Sequence, residues 1–502
     1  MENRYNLLDE PWIPVADHGR VSLLDVFSNP VYRSLGGNPV EKIALLKLLL
    51  AIAQAAVTPE TEDEWRSLGS DGVAARCLEY LERWRDRFFL YGTAPFLQMP
   101  AAVSAKVQPF GAVRPEVSTG NTTVLSQIQI QRPMAAADQA ILLLTLMGFA
   151  LSGKKTDNSL VLTPGYAGKM NDKGKPSTGK PGPGVGHMGF LHNFLLGGQL
   201  QQSIWLNLLT HRQISRMKIY PGGVGVPPWE QMLKGEDCQA ARELRRSLMG
   251  RLVPMCRFCL LTQNGLHYSE GLAHPSYKEG VVDPSMAVNN AGKEPKALWV
   301  NPEKKPWREL SALLSFLEQG ESQGFQSWQL RVGIDRARDI AESFAIWSGG
   351  LRVTSNAGEQ YASGSDDFVE SEIWLPCAVL GESWFQQMKA EMDAMDTLAR
   401  NLYGRVSSFY REQQVDNAKA GRLAERATHL FWQLCERDFQ TLVDSCDQTE
   451  ADATQRRRLR STFAAHVHRA FDQLCPRDTA RQLDAWAKHR PNTSRYLKQE
   501  AR

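Results

Sequence analysis

From Phe385 to the C-terminus the apolar residues recur at steps of three and four, and this spacing leaves few folds open to the last 120 or so residues. Phe385, Met388, Met392, Met395, Leu398 and Leu402 mark one helical face. Phe431, Cys435, Phe439, Leu442 and Cys446 mark a second, Phe463, Val467, Ala470 and Leu474 a third, and Ala480, Leu483 and Trp486 a final one. Amphipathic helices with short connections bury such stripes against one another. The spacing predicts an antiparallel helical bundle of four-helix type over 378–502. It follows a large mixed α/β domain over 1–377, which makes the chain α+β.

The first part carries different signals. Trp12, between Pro11 and Pro14, pins an extended opening segment to a core. Val21–Phe27 reads as a strand or a short helix entry. Pro39 opens a helix through Val57 that is apolar on nearly all faces and therefore buried, with proline in the first turn where its missing N–H costs little. Glu62–Phe89 is a second, more solvated helical stretch, and Asp138–Leu151 a further buried helix. Phe190–Leu209 reads as helix interrupted at Gly197-Gly198. Between about Arg251 and Pro376 strand patterning dominates, as in Leu252–Leu261, Ala297–Val300 and Glu372–Leu375. A helix over Ile334–Trp347 is expected to stop at Gly349-Gly350.

Pro164–Gly189 cannot build a core, because eight glycines, four prolines and four lysines stand there with Asp172 as the sole acid. Such a stretch is expected to be a long exposed loop. Lys169, Lys173, Lys175 and Lys180 supply charge for phosphates, and the glycines let backbone N–H groups approach a duplex closely. A merely solvated loop explains the composition equally well. Over the whole chain Lys plus Arg is 58 against 55 for Asp plus Glu, so nucleic-acid contact would rest on local patches. The eight cysteines are scattered as in a reducing compartment, and neither a secretion signal nor a bilayer-length apolar run stands out. A cytoplasmic location without membrane contact is expected.

Enzyme chemistry lacks an anchor. No nucleophile elbow, phosphate-binding loop or dinucleotide fingerprint is present. Cys256-Arg257-Phe258-Cys259 has the gap of a zinc half-site without its second half, so Cys259 reads as core and no metal is expected. His466 and His468 stand two apart on a helix and point to different faces. Arg456–Arg460 reads as the solvated opening of a bundle helix, although cations there oppose the helix dipole and would suit an anionic partner. Gly349–Gly358 reads as a turn or hairpin bearing Ser355 and Asn356.

The opening Asn6-Leu7-Leu8, followed by Pro11-Trp12-Ile13-Pro14-Val15, resembles the N-terminal signature of the CasA family, the large subunit of the type I-E CRISPR Cascade surveillance complex. The likeness continues through Ala94–Gln98, Thr163–Tyr166, Trp205–Thr210, Pro228-Trp229 and Gly349–Arg352, and so covers nearly the whole chain. The resemblance implies a non-catalytic subunit without cofactor. It would read the protospacer-adjacent motif (PAM) of double-stranded DNA, help start unwinding toward an R-loop, and recruit the helicase-nuclease. Implied partners are crRNA, target DNA, the backbone and small subunits, the subunit at the crRNA 5′ end, and that effector.

By resemblance, the family's glycine loop corresponds to Gly165, Tyr166, Ala167 and Gly168, followed by Lys169; Ala167 departs from an all-glycine pattern but stays small. The lysine finger corresponds to Lys278. The wedge hairpin corresponds to Ser355, Asn356 and Ala357, and the family's wedge glutamine is not met until Gln360. The crRNA-end loop falls on Val124–Gln131, with Leu125, Ser126 and Gln127 nearest the anchoring tripeptide and Leu125 where an aromatic is common. Only Cys256 and Cys259 match the four-cysteine zinc site of some relatives. Two other readings stay open: a metal-dependent nucleic-acid hydrolase using His466 and His468, and a pure scaffold.

Overall fold

The computed structural model describes residues 4–115, 117, 132–151, 156–157, 159–166, 189–318, 324–356, 359–362 and 367–498. The chain is α+β and divides into two compact units, 1–307 with 323–372, and 308–322 with 373–502. The helical unit thus takes in a short segment from well upstream. Among the described residues no helix is long and apolar enough to cross a membrane.

In the first unit the Pro39–Ala56 helix is the central rod. Asn38 caps it, its Oδ1 accepting from the N–H groups of Val40 and Glu41 at 3.0 Å, while Glu41 accepts from the Asn38 N–H. This is the reciprocal arrangement that satisfies the free N–H groups of a helix start, with Pro39 where no N–H is needed. The helix is buried on so many sides that even Lys47 and Gln54 are enclosed. Gln54 exchanges two hydrogen bonds with the Leu209 backbone, at 2.8 and 3.0 Å. Lys47 donates to Asp283 and to the Arg251 carbonyl. Trp12 is fully buried and its indole N–H donates to the Leu7 carbonyl at 2.9 Å, pinning the opening segment as its proline neighbours suggest.

The unit also holds two three-stranded sheets. In one, Gly265–Glu270 runs between Val107–Pro109 and Arg257–Leu261, antiparallel to both. In the other, Ser343–Leu351 lies between His192–Leu196 and Phe368–Pro376, with His192 opposite Gly349 and Leu196 opposite Ala345.

This second sheet corrects two expectations. The helix expected over Ile334–Trp347 spans Trp328–Ile340, capped by Ser327, and Trp347 belongs to the following strand. Gly349-Gly350 therefore does not stop a helix; it lies inside the central strand. Likewise Phe190–Leu209 is a strand, His192–Leu196, then a turn at Gly197-Gly198 and a helix, Leu200–Asn207. A run buried on both sides gives no periodicity to tell strand from helix. The switch is fixed by Asn207, whose amide accepts from the Leu195 N–H at 3.1 Å and donates to its carbonyl at 2.7 Å.

In the second unit three long helices, Glu382–Glu412, Asn417–Glu436 and Glu450–Leu474, pack on one another. Their buried residues are those of the spacing: Phe385, Met388, Met392, Met395, Leu398 and Leu402; Phe431 and Cys435; Phe463, Val467 and Ala470. Phe439 and Leu442 fall on a separate short helix, Phe439–Asp444. The last amphipathic helix, Ala480–His489, buries only Ala485, and Leu483 is half exposed. Its apolar stripe is therefore not the core face the spacing suggested.

Candidate nucleic-acid interface

The entry to the glycine-rich segment is a clamped turn. The N–H groups of Leu162 and Thr163 donate to the buried Glu236 carboxylate, at 3.1 and 2.8 Å, and the Asp237 N–H donates to the Thr163 hydroxyl at 3.1 Å. Gly235 lets these strands of chain touch, since a Cβ there would strike Thr163. Tyr166 closes the turn onto the Thr163 carbonyl at 3.1 Å, and burial raises its phenol above the ordinary range. Gly165 adopts φ +75°, which an L side chain rarely takes, yet among the described residues nothing lies within 4 Å of where its Cβ would be. The turn thus presents bare main chain on a rigid mount.

The described chain resumes at Gly189, also left-handed, with φ +72°. A Cβ there would sit 2.9 Å from the Val353 nitrogen and 3.1 Å from the Leu351 carbonyl oxygen. Its own carbonyl accepts from the Val300 N–H at 2.8 Å, and the Leu191 N–H donates to the Leu298 carbonyl at 3.0 Å. Gly350 is what permits this crossing: a Cβ on it would meet Val300 Cγ2 at 2.7 Å and the Phe190 carbonyl oxygen at 2.8 Å. Gly349 similarly leaves room for the Trp347 ring. Glycine inside a strand here marks close approach of another backbone.

Immediately after this strand comes a hairpin, Thr354–Asn356 antiparallel to Glu359–Tyr361. Ser355 pairs in register with Gln360, so the glutamine lies directly across the ladder from the expected wedge position. The base of the hairpin is tied by Arg352. Its N–H donates to the Asp367 carbonyl at 2.9 Å, and its guanidinium pairs at 2.6 Å with the buried Asp367 carboxylate.

Lys278 sits on a single 3-10 turn, Tyr277–Glu279, capped reciprocally by Ser276 and Glu279 and ended by left-handed Gly280. The Tyr277 ring packs edge-on against Phe190, centroids 5.5 Å apart. Lys278 projects into solvent and pairs with the still more exposed Glu294 at 3.2 Å.

Phe190 therefore joins three features that are far apart in sequence: the end of the glycine-rich segment, the foot of the hairpin and the turn bearing Lys278. The entry turn at Gly165 is held by other partners, Glu236 and Asp237. Ala167, Gly168, Lys169, Lys173, Lys175 and Lys180 lie outside the described residues, as do Ala357 and the crRNA-end loop residues Leu125, Ser126 and Gln127. Sequence reasoning named Gly189 only as the end of the glycine-rich segment and Trp299 only within a strand pattern, and it did not single out Asp367. For Trp299 a signal existed, because lysines 293, 296, 304 and 305 flank it on both sides.

The other candidates resolve as structural. Cys256 and Cys259 are buried, and burial pushes both thiols up to about 12, so they stand protonated around the strand Arg257–Leu261. His466 lies 3.5 Å from Asp438, whereas His468 reaches Thr493 at 3.4 Å. Among the described residues no three His, Cys, Asp or Glu side chains converge as metal ligands would. The arginine run is not a solvated helix opening either. Its helix begins at Glu450, Arg456 donates into the carbonyls of Ser445 and Asp447, and Arg460 forms a buried two-pronged pair with Glu391. Arg457 and Arg458 are exposed.

The family model of CRISPR-associated protein Cse1 matches residues 6–474. A CasA/Cse1 protein of Thermus thermophilus is 36% identical over 133 residues. That match takes in 24% of this chain and 26% of the relative, so it spans about a quarter of the relative's length. The structure of Thermobifida fusca Cse1 aligns over 99% of this chain and 98% of its own, with 18% identity and a TM-score of 0.74. A chain in a structure titled as a CRISPR RNA-guided surveillance complex aligns over 98% of this chain and 99% of its own, with 14% identity and a TM-score of 0.66. With the α+β fold and the family model running from the opening motif to the last long helix, the chain belongs to the CRISPR-associated protein Cse1 family.

Proposed function

We propose that this chain is the non-catalytic large subunit of a type I-E Cascade complex, working with crRNA, the backbone and small subunits and the crRNA 5′-end subunit. It reads the PAM in duplex DNA, helps open the first base pairs so that the guide can invade, and recruits the helicase-nuclease. Family membership supports the assembly. The observation that carries the DNA-reading role is the junction at Phe190, where a glycine-rich segment, a two-stranded hairpin and an exposed lysine meet.

Each part has work to do. Lys278, weakly held by Glu294, can exchange that carboxylate for a DNA phosphate. Bare main chain at Gly165 and its neighbours Tyr166, Ala167, Gly168 and Lys169 lies against the minor groove, whose degenerate pattern allows a relaxed motif. Ser355, Asn356 and Ala357, with Gln360 across the ladder, form the wedge beside the motif. Unstacking costs a few kcal/mol per step, which guide pairing and the wedge together offset. Leu125, Ser126 and Gln127 face the crRNA end.

The test is a binding comparison of the reconstituted complex, with and without this subunit, on targets that differ only in the motif. The complete complex is expected to prefer motif-bearing duplex, and the complex lacking the subunit to lose that preference. Equal preference in both would refute the role.

A further inference from the structure

Trp299 is an indole set on a rigid mount with one face left to solvent. It is 43% exposed, whereas neighbouring Ala297 and Val300 are buried. The segment carrying it is fixed from both sides: the Leu298 N–H donates to the Ala287 carbonyl at 3.0 Å, and the Val300 N–H to the Gly189 carbonyl at 2.8 Å. Alternation along this extended piece sends Leu298 and Val300 toward Leu191 and Val369, and turns Trp299 the other way onto Phe190, centroids 4.7 Å apart. The ring is thus backed by the same Phe190 that meets the Lys278 turn, one residue from where Gly189 touches the foot of the hairpin.

The stretch of chain that carries the ring is basic. Lys293 and Lys296 precede the ring and Lys304 and Lys305 follow it; Lys293 and Lys296 are exposed. The acids in the same stretch are Glu294, engaged by Lys278, and Glu303. An exposed aromatic face between cations is how proteins hold unpaired nucleotides: the ring stacks on a base whatever its identity, and the cations track the backbone. A closed duplex offers such a ring no base face, so the surface suits single strand.

Resting on the proposed DNA-opening role, we infer that Trp299 is a stacking platform for an unpaired base of the target DNA, released beside the hairpin and held while the guide pairs. It acts after the motif is read and contributes nothing to closed duplex.

The experiment uses complete complexes carrying wild-type chain, Trp299→Leu or Trp299→Phe. Leu keeps apolar packing on Phe190 without a π face; Phe restores a smaller one. Affinity is measured for a duplex that bears the motif but has no complement to the guide, and so stays closed, and for the same duplex with a short mismatched bubble beside the motif, carrying 2-aminopurine as a stacking reporter. Trp299→Leu is expected to weaken bubble binding about fivefold to a hundredfold and to relieve the quenching of the reporter. Trp299→Phe should recover part of both, with closed-duplex affinity unchanged in all three. Unchanged bubble affinity and quenching in Trp299→Leu would overturn the platform while leaving the subunit's motif preference standing. Equal losses on closed duplex, or loss of crRNA from the complex before DNA is added, would also overturn it, by assigning the ring to duplex or guide. Lack of motif preference in the wild-type complex would instead bring down the proposed function, and the platform with it.

Discussion

Two ion pairs, one in each unit, join a basic side chain to a glutamate carboxylate in opposite settings. Arg460 holds Glu391 with two hydrogen bonds inside the bundle, their side chains 10% and 1% exposed. Lys278 holds Glu294 at the surface, at 56% and 76% exposure. In the first, both charges have lost their water and each is the other's main compensation, so neither is available to a ligand. In the second, water screens both charges, and a phosphate can replace the carboxylate at little cost. Positive charge in a sequence therefore marks a binding surface only where the fold leaves it solvated.

The contrast can be broken most forcefully in the bundle. Glu391→Ala strands the Arg460 guanidinium and is expected to destabilise the helical unit by about 3–5 kcal/mol, whereas a Glu391→Leu, Arg460→Met double variant should lose far less. Hydrogen exchange of amides in Glu382–Glu412 and Glu450–Leu474 reads the difference separately from the other unit.

A buried charge cluster in the first unit sharpens the same point through pH. Burial, reinforced by the Lys47 ammonium, holds His192 down from 6.5 to about 3, so the ring is neutral against Ser285. Burial alone would raise Asp283, but Lys47 and the Ser285 hydroxyl hold it down to about 2. His192 takes up a proton only on unfolding, so its stability contribution is intact above about 6.5 and declines as pH falls from 6.5 toward 3. Asp283 adds a further loss as pH drops from 3.8 toward 2. Between pH 6.5 and 4.5 the histidine alone should cost about 2–3 kcal/mol. His192→Gln should flatten that slope in unfolding measurements across the range.

Gly350→Val probes packing without charge. Its side chain would press on the Phe190 carbonyl and Val300, for an expected loss of about 1–3 kcal/mol and displacement of the hairpin foot, read as weaker discrimination of motif-bearing DNA. The smallest effect belongs to the exposed pair. Glu294→Ala should change stability by less than about 0.5 kcal/mol and leave DNA binding equal or tighter at low salt, measured by titration at two ionic strengths.

What could be read beforehand follows the same physics. Met388, Met392 and Met395 have a polar face to contrast with, so their period was visible and the long helices could be drawn. Phe194, Leu195 and Trp347 are buried on all sides, and no alternation separates strand from helix there; that is why the Gly349-Gly350 pair passed for a helix stop. The hairpin after it and the core role of Cys259 were legible from small polar residues, glycines and flanking apolar ones, whereas the clamp at Thr163 was not, because Glu236 and Asp237 reach it only through the fold. The burial of Arg456 and Arg460 was not, because it depends on Glu391 and on the Ser445 and Asp447 carbonyls, brought in by tertiary packing. The junction at Phe190 depends likewise on residues 189, 278, 300 and 351 meeting across long sequence gaps.

The most direct measurement uses Gly165→Val in the assembled complex. Among the described residues nothing stands within 4 Å of its Cβ position, so the substitution acts through its φ of +75° and the lost bare main chain rather than through a clash with the described core. The expected result is that preference for motif-bearing closed duplex disappears while binding to a pre-opened target persists. A complex that keeps its full preference with valine there would contradict a role for this turn in reading DNA.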